Sequence, residues 1–559
     1  MELQCWQTSS LTKTMMDSNE RPAVLKKLSC LKGEEVSYQL VCKMTGTGSD
    51  ARACRPYTYK IDSELADCIT IREVVNIPSE VPAHIGVFWG HDEDFITTKP
   101  GLFPDLLRAP YDDELEMPFN YFRSFWVSVK VKPNAKAGIY PIRIRIANEE
   151  LNLRAERVMT LEVIDAVLPE QTLIHSEWFH SDCLMSYYKV SALSEEHWQI
   201  CADWIKTAVD NGVNMILTPI VSLTMDRKEG VDRPVLQLVK ISKEGSVYSF
   251  DFADLKRWIR MCLDLGVEYI EISHLFTQWG AKYAPTVMVW EDGQLIKKFG
   301  WHTPGMCEEY KDFIRQFLPQ LVAFLKAEGV ADRAIFHVSD EPYAQDVPAY
   351  SEAIELVKPY LEGFRIIDAV FDLDVYSSGI IKDPVVVTSR YRDCAQTGKK
   401  PDFVYYLFGQ SYHYSNRLFA MHSRRNRVLA LQLYANDIIG FLHWGFNFYY
   451  NYDSRYLINP FLNTAGRNVY ASGCPFIVYP GEDGIPMESI RLKVLKEAMQ
   501  DLRALQLLES YTSKEEVQKL IEEAAGEPVE FDWRPPDDAF ILNFREKINR
   551  LIQQAIEKQ

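Results

Sequence analysis

In Lys326-Ala327-Glu328-Gly329-Val330-Ala331-Asp332-Arg333-Ala334-Ile335-Phe336-His337-Val338-Ser339-Asp340-Glu341-Pro342, a helix ends, an apolar run follows, and two carboxylates close it. Gly329 tolerates the left-handed backbone that stops a helix, and Val330 turns the chain toward a strand. The same Gly-Val step recurs at Gly212-Val213 and Gly266-Val267. Each follows an amphipathic segment, at 195–211, 252–265 and 308–328.

Outward from these steps, eight apolar strand candidates can be read. They are Leu173–Phe179, Met215–Ile220, Tyr269–Phe276, Ala334–Ser339, Arg365–Val370, Val385–Thr388, Phe403–Phe408 and Phe441–Phe448. Eight strand–helix units close more naturally into a (β/α)8 barrel than into an open sheet. The expected barrel covers residues 169–512, with long insertions at 221–250 and 277–305. The later units are less regular.

Upstream, residues 1–168 read as an all-β sandwich of short alternating runs. Candidates are Val36–Met44, Tyr57–Ile61, Phe125–Val131, Ile139–Ala147 and Arg157–Ile164. Ile142, Ile144 and Ile146 alternate with Arg143 and Arg145, the period of a half-buried strand. Residues 513–559 read as two helices around Asp532-Trp533-Arg534-Pro535-Pro536, packed outside the barrel.

The composition of the 559 residues is globular: 47% hydrophobic, 25% charged and 12% aromatic. A net charge of −17 opposes nucleic-acid and anionic-membrane partners, which need surplus Lys and Arg. No apolar run reaches the ~20 residues of a membrane span. Met1 to Glu20 carries neither the basic nor the apolar region of a secretion signal. The 11 cysteines are scattered without C-x-x-C spacing, as free thiols would be. Together these point to a cytoplasmic chain.

Asp340 and Glu341 fall at the C-terminal end of the fourth strand, where barrels carry their chemistry. The bland alternative is a turn cap and a solvated loop residue. Neighbouring carboxylates cannot easily straddle an anomeric carbon at the roughly 5–9.5 Å that two-carboxylate glycosidases need. They suit a sugar that brings its own nucleophile. Glu341 then protonates the leaving oxygen while a 2-acetamido oxygen attacks C1. Asp340 orients the acetamide N–H.

Ser176-Glu177-Trp178-Phe179-His180, the run Glu271 to Ala281, Ser339-Asp340-Glu341-Pro342 and the run Gly440 to Asn447 resemble glycoside hydrolase family 123, the β-N-acetylgalactosaminidases. The resemblance spans about residues 176–510. It implies Glu341 as acid/base, Asp340 as the acetamide-orienting carboxylate, and N-acetylgalactosamine as the sugar.

Candidate substrate-binding residues are His274, Gln278, Trp178, Trp279, Trp301, Trp444, His443 and Asn447. Indole faces would stack on a pyranose, though each Trp competes with a packing role. Of Tyr405 and Tyr406 one faces inward, and Tyr406 is taken as the residue bonding the acetamide oxygen. No cofactor is expected. No metal is expected either, since His175 and His180 are five apart and no Cys/His cluster occurs. His337 with Asp340 is the residual metal alternative. The rival readings are a two-carboxylate glycosidase pairing Glu341 with Glu177, Glu271 or Asp368, and a carbohydrate-binding barrel without turnover.

Overall fold

The structure, a computed structural model, describes residues 1–46, 56–83, 92–223, 230 and 233–558. Eight parallel strands close into a barrel: β1 (Ile174–Glu177), β2 (Met215–Thr218), β3 (Tyr269–Ile272), β4 (Ala334–Phe336), β5 (Arg365–Val370), β6 (Asp383–Val387), β7 (Phe403–Tyr405) and β8 (Gly440–His443). β8 pairs back onto β1, with Ile174 opposite Gly440. All eight lie within the runs read from sequence, to within two residues. Ile174, Met215, Leu217, Ile335, Ile367, Val385, Phe403 and Leu442 fill the interior. A second, larger apolar layer lies between the strands and the outer helices.

Helices Glu195–Asp210, Ala253–Asp264 and Glu308–Ala327 occupy the expected segments. Gly212, Gly266 and Gly329 follow them at φ +90°, +97° and +71°, so the repeated Gly-Val step is a repeated left-handed stop. Helices after β5, β6 and β7 are short, Leu373–Ser378, Tyr391–Ala395 and Leu429–Ala435. The last, Ile490–Tyr511, is long and almost wholly buried along its first two-thirds.

The N-terminal region is two packed five-stranded sheets. One runs Glu2–Ser9, Glu35–Thr45, Phe122–Lys130, Ile69–Ser79, Gly101–Arg108. The other runs Lys27–Lys32, Leu153–Val167, Gly138–Asn148, Tyr57–Asp62, Glu114–Leu115. Phe125, Val127 and Val129 face Ile142, Ile144 and Ile146 across one core. The strands at Glu2–Ser9, Lys27–Lys32, Ile69–Ser79 and Gly101–Arg108 are additions to the sequence reading. The first has no clean alternation because its polar residues are also buried, as where Gln7 donates to Leu25 O at 2.8 Å.

The two insertions build a four-stranded sheet: Val247–Asp251, Lys240–Glu244, Val287–Glu291, Gln294–Phe299. Part of the first insertion lies outside the described residues. No helix among the described residues is long and apolar enough to cross a membrane.

The C-terminal helices are Lys514–Ala525 and Asp538–Glu557. The second is wedged between sandwich and barrel. Arg545 binds Glu34 of the sandwich and, at 2.7 Å, Asp501 of the last barrel helix. Ser29 donates its N–H to Glu546 at 2.7 Å and accepts from Asn549 at 2.9 Å. Removing one partner of such a buried ion pair strands its charges. Arg545→Ala is therefore expected to cost roughly 3 kcal/mol, read from the denaturant midpoint. A loss below roughly 0.5 kcal/mol, the scale of an ordinary surface change, would deny the helix a joining role.

Candidate active site

A cavity of about 630 Å³ opens at the C-terminal ends of the barrel strands. Asp340 and Glu341 line it together. Their position is set from beneath by fully buried side chains on three adjacent strands. His337 at the end of β4 bonds Glu271 of β3 through Nε2 at 2.7 Å and Asp368 of β5 through Nδ1 at 3.3 Å. Burial opposes a charge on the imidazole, but bonds to Asp368 and Glu271 outweigh it and push its pKa up to about 10. His337 is thus an imidazolium held between two carboxylates.

Each carboxylate also fixes a wall of the cavity. Asp368 accepts the backbone N–H groups of Val338 at 3.1 Å and Ser339 at 3.2 Å, immediately before Asp340. The Tyr350 hydroxyl donates to it as well. Glu271 accepts the Trp178 indole N–H at 2.9 Å and the Ser176 hydroxyl, holding the Trp178 ring that lines the cavity.

Ser339 extends the order sideways. Its hydroxyl donates to Thr277 O at 2.7 Å and accepts from Ala281 N–H at 3.0 Å, closing the loop that carries Gln278 and Trp279. In that loop Trp279, Gly280 and Ala281 all lie at positive φ, +62°, +95° and +59°. A Cβ on Gly280 would stand 2.3 Å from the Asp346 Cβ, so only glycine fits. The Trp279 N–H donates to Asp340 O at 2.6 Å.

Glu341 itself sits at φ +42°, a left-handed conformation costing a non-glycine residue about 1–2 kcal/mol. That turn carries its carboxylate across the mouth to β7, where the Tyr405 hydroxyl donates to Oε1. Burial first, then the Glu341 charge, hold the Tyr405 phenol well above its usual pKa, so it stays a neutral donor.

Of the residues expected at the site, Asp340, Glu341, Trp178, Gln278, Trp279 and Trp444 line the cavity. The Gln278 amide nitrogen is buried without a hydrogen-bond partner, leaving a donor for a ligand. Five expected residues do not line it. Tyr406 is on the outer face of β7, against Phe441 at 5.1 Å and His443 at 5.4 Å; the inward residue is Tyr405. His443 accepts from Arg417 at 2.7 Å behind the wall. Asn447 is spent on both backbone groups of His180, at 2.8 and 3.1 Å. Trp301 packs on Tyr283 at 5.9 Å. His274 stacks on His337 at 4.4 Å, kept neutral by burial and by the neighbouring charge.

The remaining walls come from loops that no sequence motif marked. Tyr343, Phe371, Tyr412, Tyr452 and Tyr470 supply aromatic faces, and Arg390 and Gln410 supply polar groups. Runs of tyrosine in loops after strands were the available signal.

Ligand atoms of His274, His337 and Asp368 lie within 4.8 Å of one another, the spacing of a metal set. Within this set both His337 nitrogens already face carboxylates, Nε2 on Glu271 and Nδ1 on Asp368. His337, the alternative metal partner for Asp340, does not line the cavity with it.

Comparison with known families matches residues 178–508 to the catalytic domain of glycoside hydrolase 123. No curated protein matches the chain in sequence. Among solved structures, a family 123 glycoside hydrolase from Clostridium perfringens, studied for glycolipid glycan hydrolysis, is similar. It is 18% identical, with 100% of this chain and 98% of that chain covered and a TM-score of 0.71. Bacteroides uniformis beta-glucuronidase 3 is 11% identical, covering 90% of this chain and 51% of that one at a TM-score of 0.29. That likeness is too slight to bear on the fold.

The imidazolium has a measurable signature. With a folded pKa near 10 against an ordinary 6.5, its stabilising contribution is complete below pH 6.5. It declines as pH rises and is gone above pH 10. The ¹⁵N shifts of His337 are therefore expected to keep charged-form values up to pH 9. A titration midpoint near 6.5 would contradict the clamp.

Proposed function

The chain belongs to glycoside hydrolase family 123, and from that premise we propose that it releases a terminal β-linked N-acetylgalactosamine by substrate-assisted, retaining hydrolysis. One observation carries the reading. Asp340 and Glu341 are the only carboxylates among the described residues that line the cavity.

A two-carboxylate mechanism needs an opposing acid, and the three rivals are already engaged. Glu177 is held by Arg417 at 2.5 and 2.8 Å, and Glu271 and Asp368 form the His337 clamp. All three are wholly buried. With no free carboxylate opposite the acid among the described residues, the sugar's acetamide oxygen is the group left to attack C1.

In this scheme Glu341 donates its proton to the leaving oxygen, and later takes one from the water that opens the oxazolinium ring. Asp340 accepts the acetamide N–H and balances the positive charge that develops on it. Tyr405 takes the place expected of Tyr406: its hydroxyl, bonded to Glu341 in the free protein, turns to the acetamide oxygen. The Trp178, Trp279 and Trp444 rings give the pyranose its apolar platforms. The N-acetylgalactosamine assignment rests on the family.

Glu341→Gln is expected to lower turnover on poor leaving groups by about 10²–10⁴, with partial recovery on aryl leaving groups of low pKa. Turnover near wild type on the poor leaving groups would remove Glu341 from the mechanism. It would also leave the acid's place open, whereas a protein that only binds sugar would show no turnover before the substitution either.

The origin of the nucleophile is tested on the substrate. Fluorine drains density from the acetamide oxygen, so rates should fall steeply from N-acetyl to N-trifluoroacetyl aryl glycosides. A 2-hydroxyl substrate should hardly react, and a thiazoline analogue should bind far more tightly than substrate. Indifference to fluorination, or a sugar found attached to the protein after reaction with a 2-fluoro glycoside, would establish the two-carboxylate route instead.

A further inference from the structure

The cavity is far larger than one pyranose ring fills, and its charged lining is uneven. Two carboxylates meet one cation: Arg390 is the sole Lys, Arg or His among the described lining residues. Left alone, the Asp340 carboxylate would repel any negatively charged substrate.

Arg390 has a fixed place. It ends the short turn Thr388–Arg390 that follows β6 directly, and helix Tyr391–Ala395 begins at the next residue. The adjoining wall is pinned to the loop after β7. Gln410 donates to the Ser389 hydroxyl at 3.0 Å and accepts from Leu407 N–H at 3.0 Å. Asn416 donates to Leu407 O and Gln410 O at 2.7 and 2.9 Å.

This wall adjoins the acid. Asp340 is tied through its backbone to Trp279 after β3, whereas the Glu341 carboxylate reaches toward Tyr405 on β7, the strand next to β6. The acid and Arg390 therefore stand on the same side of the mouth. Within the protein, Arg390 is bound to Asp393 through Nη1 at 3.2 Å, with both side chains about half exposed (55% and 44%). Exposed pairs of this kind hold weakly, and an incoming carboxylate or sulfate can take two guanidinium N–H groups at once.

Building on the glycosidase reading above, we propose that Arg390 selects substrates whose leaving-group sugar carries an anionic substituent, a uronic acid carboxylate or a sulfate ester. The reaction is unchanged; the anion is held through binding and departs with the leaving group.

The test uses the full chain and three leaving groups on one β-linked 2-acetamido sugar: a uronic acid, its methyl ester, and a neutral sugar with and without a sulfate. The readout is the ratio of kcat/KM for each charged substrate to its neutral counterpart, so each protein is its own reference. A ratio of at least about ten at low salt, shrinking as salt screens the charge, is expected for one or both anions, and the larger names the source. Arg390→Ala should bring the ratio close to one, and Arg390→Lys should keep part of it. A wild-type ratio near one for both anions, or a ratio that survives Arg390→Ala, overturns the inference. An aryl 2-acetamido glycoside run in parallel separates the two readings. Its cleavage without charge discrimination sinks the Arg390 inference alone. Failure to cleave any 2-acetamido glycoside sinks the glycosidase reading and this inference with it.

Discussion

A single buried charge, the His337 imidazolium between Glu271 and Asp368, sets the geometry of the barrel mouth. The three residues lie on or next to three neighbouring strands, and the cost of burying two carboxylates is met by placing one cation between them. Each carboxylate then has lone pairs to spare. Asp368 spends them on the backbone that leads into Asp340, and Glu271 spends them on the Trp178 indole. The Asp340–Glu341 pair and the Trp178 wall of the cavity thus share one foundation. A shift in either would unseat hydrogen bonds to the other.

The left-handed turn at Glu341 belongs to the same design. A strand continuing in the ordinary way would send successive side chains to opposite faces. At φ +42° the chain departs from that alternation, and Asp340 and Glu341 both reach one cavity. The cost is local and is absorbed by the clamp below and by the Tyr405 bond ahead.

Sequence reading captured the barrel because its strands are short apolar runs, and because Gly212, Gly266 and Gly329 repeat one backbone stop. The Asp340–Glu341 pair was legible from its place after β4. Choosing Tyr405 over Tyr406 was not, since β7 is three residues long and its inward phase depends on barrel closure. His443 and Asn447 looked available beside Trp444. They are consumed by Arg417 and by His180, partners that approach from elsewhere in the chain and leave no local trace. The insertions drew attention as the longest loops, yet the lining owes more to the irregular units after β6, β7 and β8.

The wedge formed by helix Asp538–Glu557 has a consequence for synthesis. Glu34 emerges from the ribosome 511 residues before Arg545, the cation it is buried against. At about 5–20 residues per second, that interval is roughly 25–100 s. Through all of it the first sheets can pair their strands, but Glu34 has no counter-charge from Arg545 and Ser29 is without its Asn549 and Glu546 partners. This part of the joint between sandwich and barrel is thus made last, after contacts such as those of Arg491 with Asp105 and of Lys496 with Glu35 can already form. Until then the two halves of the chain are coupled more loosely than in the finished molecule, and the surface that helix will cover stands open to chaperones.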